Sequence, residues 1–223
     1  MSSDSFWHRI GRQLATPEGR GGRLIGRLMV WLNRTPNRRS IDELAPRPGE
    51  SILEVGFGPG DGLREILRCA PGCRLAGIDK SAQMLAMAGR RNRRALADGR
   101  LDLRVGSTES LPWQDASFDA ILAVNVAYFF DEAGRAMREL ARVLKPGGRL
   151  VIYVTERETM RRWPFAGPQT HRTFDRPALE AMLAQGAFPK EGIVINVLHL
   201  PMDMRGWIAV VHTAPAPEDH SMA

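Results

Sequence analysis

Residues 52–60 read ILEVGFGPG, and residues 61–67 continue DGLREIL. An apolar run meets an acid, Glu54, and glycines then fall at every second position, Gly56, Gly58 and Gly60. Glycine reaches positive φ freely and carries no Cβ, yet it loses more backbone entropy on folding than any other residue. Three of them in this spacing imply a close approach of something to the backbone. Ser51–Val55 reads as a buried strand, and Pro59 to Leu67 as a helix with Leu63, Ile66 and Leu67 on one face. The helix start offers free N–H groups and the positive end of its dipole. It lies at the carboxyl edge of a strand, where open α/β sheets bind ligands.

The same alternation continues outward from this stretch. Arg74–Asp79 is a second strand, followed by a helix over Ser81 to Leu96 that Ser81 can cap. Leu101–Val105 and Phe118–Val124 are strands three and four. A helix over about 131–144 then ends at KPGG (145–148), because proline cannot continue it and glycine can turn left-handed. Arg149–Val154 is strand five. Repeated strand–helix alternation predicts a mostly parallel sheet covered on both faces. After a helix over Pro177–Gln185, Ile193–His199 and Trp207–His212 read as strands with no helix between them, so they should pair antiparallel.

Length and charge set the boundaries. The chain has 223 residues, 43% apolar and 25% charged, with a net charge of +6. No apolar stretch reaches the roughly 18–20 residues of a membrane span, and the start lacks a signal-peptide core, which predicts a cytoplasmic protein. Cys69 and Cys73 form neither a zinc framework nor a disulfide scaffold. The basicity belongs to residues 1–47, where nine arginines face four acids; the remainder is near neutral, so no nucleic-acid partner is expected. Three regions follow: an N-terminal helical extension over 1–47, a ligand-binding domain over 48–214 and a tail over 215–223.

Two ligand classes compete for the glycine loop. A dinucleotide site wants G-x-G-x-x-G; Gly56 and Gly58 fit it, but the third position is Asp61, an acid that would repel a pyrophosphate. The pattern present is E-x-G-x-G-x-G, which suits a ligand with positive charge and no phosphate. Asp79 stands at the end of the second strand, placed to accept hydrogen bonds from ribose hydroxyls. A nucleoside with a cationic, amino-acid-like end satisfies both features, which describes S-adenosylmethionine.

Four ordered blocks, ILEVGFGPG (52–60), GIDKS (77–81), GSTESLPWQDASFDAIL (106–122) and ELARVLKPGGRLVI (139–152), resemble the class I SAM-dependent methyltransferases, in particular the small-molecule and lipid-type enzymes similar to ubiquinone-biosynthesis methyltransferases. The resemblance covers residues 50–155. It implies a Rossmann-like seven-stranded sheet with an antiparallel last strand. It also implies that Glu54, Gly56, Phe57, Gly58 and Gly60 flank the methionine end of the cofactor, that Asp79 binds its ribose, and that Lys80 and Met84 lie beside the adenine. Asn125, after strand four, lies near the cofactor's amino group or the acceptor. Many members carry an aspartate after the glycine of strand three; here Ser107 stands there, followed by Thr108 and Glu109, as the candidate adenine contacts.

Methyl transfer needs alignment and exclusion of water more than it needs a base. A base is needed only if the acceptor arrives protonated; the candidate catalytic residues by position are His171 and Tyr128, and after them Tyr153. No metal-ligand cluster is present. GRRNRR (89–94) reads as a solvated helix face. The basic N-terminal segment has two open roles: a lid that brings Trp7, Trp31, Asn33 and Asn37 to the site, or a membrane-surface helix. These are compatible if the acceptor is lipid-like. A nicotinamide-dependent oxidoreductase and a non-catalytic SAM-binding protein are the competing functions. Acceptor identity and oligomeric state are not encoded in these patterns.

Overall fold

The computed structural model describes residues 34–162, 172–201 and 203–215. Seven strands form one sheet: β1 (Ser51–Val55), β2 (Arg74–Asp79), β3 (Leu101–Val105), β4 (Phe118–Val124), β5 (Leu144–Thr155), β6 (Ile193–Leu200) and β7 (Met204–His212). Their order is β3-β2-β1-β4-β5-β7-β6. β1 to β5 pair in parallel, and β7 runs antiparallel to both β5 and β6. The expected Rossmann-like sheet with its antiparallel last strand is therefore present. The connection from β6 to β7 is too short for a crossover, and that alone forces the antiparallel pairing.

Around the sheet lie α1 (residues 34–44), α2 (Asp61–Cys69), α3 (Ala82–Arg91), α4 (Arg93–Ala97), α5 (Arg135–Val143), α6 (Arg157–Arg161) and α7 (Arg176–Ala184). Two expectations shift. The single helix read over 81–96 breaks at Asn92 into α3 and α4. β5 begins at Leu144, so KPGG both ends α5 and enters the strand, and the register against β4 shifts between Phe118 and Ala120.

Alternation along β1 builds two layers. Ile52 packs with Leu63 and Ile66 of α2, Met84 and Ala88 of α3, and Ile41 and Leu44 of α1. Leu53 and Val55 face the other way, onto Met137 and Leu140 of α5 and Leu179, Met182 and Leu183 of α7. Each of these fully buried Leu, Ile, Val and Met side chains contributes about 2 kcal/mol relative to exposure.

Arg149, at the start of the regular part of β5, is buried and draws three segments together. Its guanidinium donates to the Leu44 and Ala45 carbonyls and pairs with Glu50 at 2.7 Å. α1 is thus tied to Glu50 and to the start of the regular part of β5. Residues 1–33, including Trp7, Trp31 and Asn33, lie outside the described residues.

Candidate cofactor site

Strand order reverses between β1 and β4, so their carboxyl ends flank the topological switch point, the usual ligand crevice of such sheets. Glu54 and the glycine loop stand on the β1 side, and Asn125 stands on the β4 side.

Glu54 sits near the tip of β1, only 4% exposed, and its Oε2 has no hydrogen-bond partner within the protein. Burial, reinforced by the nearby Asp61 and Asp79 carboxylates, pushes its pKa up to about 8. A buried carboxyl left this way is costly unless a partner arrives. Gly62, in the first turn of α2, leaves the room that Glu54 occupies; a Cβ there would collide with Glu54 Oε1.

The loop that follows is shaped by its glycines. Gly56 (φ +68), Gly58 (φ +51) and Gly60 (φ +86) are all left-handed. A Cβ on Gly56 would lie 2.5 Å from Val126 Cγ2, and one on Gly60 would lie 2.7 Å from Ala88 Cβ, whereas one on Gly58 would meet nothing within 4 Å. Gly56 and Gly60 are therefore glycines for packing, and Gly58 is the one whose bare backbone faces open space.

Asp79 ties the tips of three strands. Its Oδ2 accepts the Gly58 N–H and its Oδ1 the Ser81 N–H, both at 2.9 Å, and its carbonyl accepts the Gly106 N–H at 3.0 Å. Burial raises the pKa of its carboxyl and the two backbone donors work against that rise. Each oxygen retains a lone pair for a hydroxyl donor. Glu54, Gly58 and Asp79 thus form one corner that offers two carboxyl groups and exposed backbone, a donor set that fits a cationic nucleoside.

Asp61 is not the bare acid suggested by the sequence. Arg91, reaching from the end of α3, forms an ion pair with it and also donates to the Pro59 carbonyl at 3.2 Å. Repulsion by Asp61 is therefore a weak argument against a pyrophosphate. The buried, unpartnered carboxyl of Glu54 carries that argument instead. Beside Arg91, Asn92 donates through Nδ2 to the Gly60 carbonyl at 3.0 Å. Within the run 89–94, read as a solvated face, these two residues hold the loop.

Across the crevice, Asn125 is left-handed at φ +53, and its Oδ1 accepts from the Tyr128 hydroxyl at 2.6 Å and from Thr155 Oγ1 at 3.3 Å. The Tyr128 oxygen in turn accepts the Thr155 N–H at 2.6 Å. Burial drives the Tyr128 phenol far above its ordinary range, and that of Tyr153 to about 12. The Tyr128 hydroxyl braces β4 to β5, and it is a poor proton acceptor near neutral pH.

The other expected contacts separate. Phe57 and Met84 are buried in the α2–α3 layer, Phe57 against Gly77, so their side chains serve the core. Lys80 is exposed at the rim. Ser107 Oγ accepts the Glu109 N–H at 3.2 Å, Thr108 is buried, and Glu109 pairs with Arg135 at 2.8 Å. Arg142 fastens the loop that carries them, donating to the Leu111 and Trp113 carbonyls at 3.1 and 2.9 Å. Nothing in the sequence signals the Arg135 and Arg142 contacts, because their partners lie about thirty residues away. Asn37 is half-buried on α1, and His171 lies outside the described residues. Among the described residues no cluster fit to hold a metal ion occurs.

Residues 53–152 match a protein family described as a methyltransferase domain. The uncharacterized methyltransferase YdaC of Bacillus subtilis (strain 168) is 32% identical over 163 residues, 73% of this chain and 85% of that protein. The ubiquinone/menaquinone biosynthesis C-methyltransferase UbiE of Rubrivivax gelatinosus is 30% identical over 211 residues, 92% of this chain and 78% of that protein. Among solved structures, the geranyl diphosphate C-methyltransferase of Streptomyces coelicolor A3(2), with S-adenosyl-L-homocysteine bound, aligns with a TM-score of 0.67 at 15% identity over 81% of this chain and 76% of that one, a likeness of fold.

Proposed function

This chain belongs to the class I SAM-dependent methyltransferases, and from that membership we propose that it methylates a small, lipid-like acceptor of the quinone type, with the cofactor held by Glu54, the loop Gly56–Gly60 and Asp79. The observation that carries the cofactor assignment is the unpartnered, buried oxygen of Glu54 beside the open face of Gly58. A positively charged ligand relieves that cost, and a pyrophosphate would add to it. The acceptor class is supported by the likeness to a quinone-biosynthesis C-methyltransferase along 92% of this chain.

S-adenosylmethionine, when bound, would supply a methyl group on a sulfonium for attack in line by the acceptor, with the thioether S-adenosylhomocysteine as the leaving group. The chain's own work is positional. Asp79 fixes the Gly58 N–H on one side and takes ribose hydroxyls on the other. The Ser107–Glu109 turn closes the adenine end, through backbone groups and the Ser107 hydroxyl. Asn125, braced by Tyr128 and Thr155, forms the wall opposite Glu54, toward the acceptor. No proton is assigned to Tyr128, whose oxygen is already engaged twice. The first 33 residues, most of the extension expected over 1–47, lie outside the described residues; among the described residues no helix is long and apolar enough to cross a membrane.

The test is transfer of label from methyl-labelled S-adenosylmethionine into fractionated cell extract. The reading expects label in the organic, quinone-containing fraction. Label confined to the aqueous fraction would overturn the acceptor class and leave the cofactor site standing.

A further inference from the structure

We propose that Asn92 is a positioning residue of the cofactor site: with Arg91 it clamps the glycine loop to the far end of α3, so that this one helix sets the spacing between the loop and Asp79. The inference rests on the cofactor assignment above.

The near end of α3 follows directly on Asp79. Ser81 caps the helix, its Oγ accepting the Met84 N–H at 3.3 Å, while its own N–H is held by Asp79. The far end reaches back to the loop. Asn92 is buried, and its Nδ2 donates to both the Ala88 and the Gly60 carbonyls at 3.0 Å. Both partners are carbonyl oxygens, which can only accept, so the amide orientation is fixed by chemistry. Gly60 lies so close to α3 that a Cβ would stand 2.9 Å from Ala88 Cα. Arg91 adds the Pro59 carbonyl and Asp61. The loop residue between these clamps and β1, Gly58, is the one whose N–H Asp79 accepts.

The break between α3 and α4 fits this role. Asn92 leaves helical geometry at φ −110, ψ 24, ending α3 and starting α4. Asparagine favours such a break because its side chain competes for backbone partners. Here that partner is a carbonyl of the cofactor loop, thirty-two residues away.

The test uses the full chain with Asn92→Asp and Asn92→Leu. The first keeps the shape and removes both donors; the second removes all polarity. Both are expected to raise KM for S-adenosylmethionine and Kd for S-adenosylhomocysteine about tenfold, the loss of one well-placed interaction, with kcat at saturation within about twofold. A purely structural role would lower the thermal midpoint and leave KM and Kd of the folded protein unchanged; that result overturns the proposal. Should both variants fail to fold, surface variants decide. Arg91→Gln is expected to raise KM severalfold, whereas Arg90→Gln, on an exposed neighbour, should not; equal KM for the two would overturn it. A wild-type chain that ignores S-adenosylhomocysteine would instead sink the underlying cofactor assignment.

Discussion

The Asp79 carboxylate accepts the Gly58 N–H at 2.9 Å, joining the tip of β2 to the loop after β1 across 21 residues of sequence. A carboxylate is a strong acceptor for backbone donors, each such bond being worth about 1.5–3 kcal/mol. Part of that gain offsets the desolvation of Asp79 itself. Asp79→Ala should therefore cost little in thermal midpoint and much in ligand. We expect Kd for S-adenosylhomocysteine to rise by about ten- to a hundredfold, that is roughly 1.4–2.8 kcal/mol, measured by calorimetry. An unchanged Kd would remove Asp79 from the site.

Glu54 gives the free protein a distinctive pH dependence. Its folded pKa of about 8 lies above the ordinary value of 4.5, so the folded state holds a proton that the unfolded state releases between those limits. Its contribution to stability is complete below about pH 4.5 and lost as pH rises to about 8, with a slope of at most about 1.4 kcal/mol per pH unit. Glu54→Gln keeps the neutral shape and removes the titration. Thermal midpoints of the two proteins should coincide near pH 5 and diverge by pH 8.5, the variant being the more stable. Parallel curves would contradict the buried-acid reading. A cationic ligand favours the ionised form, so binding to the wild type at pH 7 should release a proton, readable as a buffer-dependent heat.

Tyr128 separates bracing from catalysis. Tyr128→Phe leaves the Thr155 N–H without its partner in a buried place, a loss of about 1–3 kcal/mol. We expect a lower thermal midpoint, with kcat falling less than about tenfold and its pH profile unchanged in shape. Loss of turnover with the midpoint preserved would make the hydroxyl a participant in the chemistry.

Arg149 tests whether α1 is part of the domain. Arg149→Met strands Glu50 and two carbonyls, and breaking a buried pair in this way costs about 3–5 kcal/mol. Limited proteolysis of the variant should cut between residues 44 and 51 before anywhere else in the described body. Cleavage at wild-type sites and rates would show that α1 is held by other means.

The strands were legible because each is an apolar run closed by a turn signal: Ser51–Val55, Arg74–Asp79, Leu101–Val105 and Phe118–Val124 lie where the pattern put them. The glycine loop and Asp79 were legible because their residue types are costly unless used. What the pattern hid were side chains whose partners are remote in sequence. Asn92 sits in a run of four arginines and looks like solvent face, yet it is buried on Gly60. Arg149 looks like the polar start of a strand, yet its partners lie about a hundred residues earlier. Phe57, in the loop after β1, and Met84, on α3, which the resemblance gives to the cofactor site, are both buried among the apolar side chains of the α2–α3 layer.

Gly58 provides the most direct test, because it separates stability from binding. Gly56→Ala would drive a Cβ into Val126 and should unfold the site, whereas Gly58→Ala meets nothing in the protein and bears only the left-handed strain of about 1–2 kcal/mol. The measurement is a calorimetric titration of S-adenosylhomocysteine and, separately, NADH into the wild type and Gly58→Ala. The account predicts saturable one-site uptake of S-adenosylhomocysteine by the wild type, no uptake of NADH, and at least a tenfold weaker Kd in a Gly58→Ala protein that remains folded. Uptake of NADH without S-adenosylhomocysteine, or equal Kd in the two proteins, would contradict it.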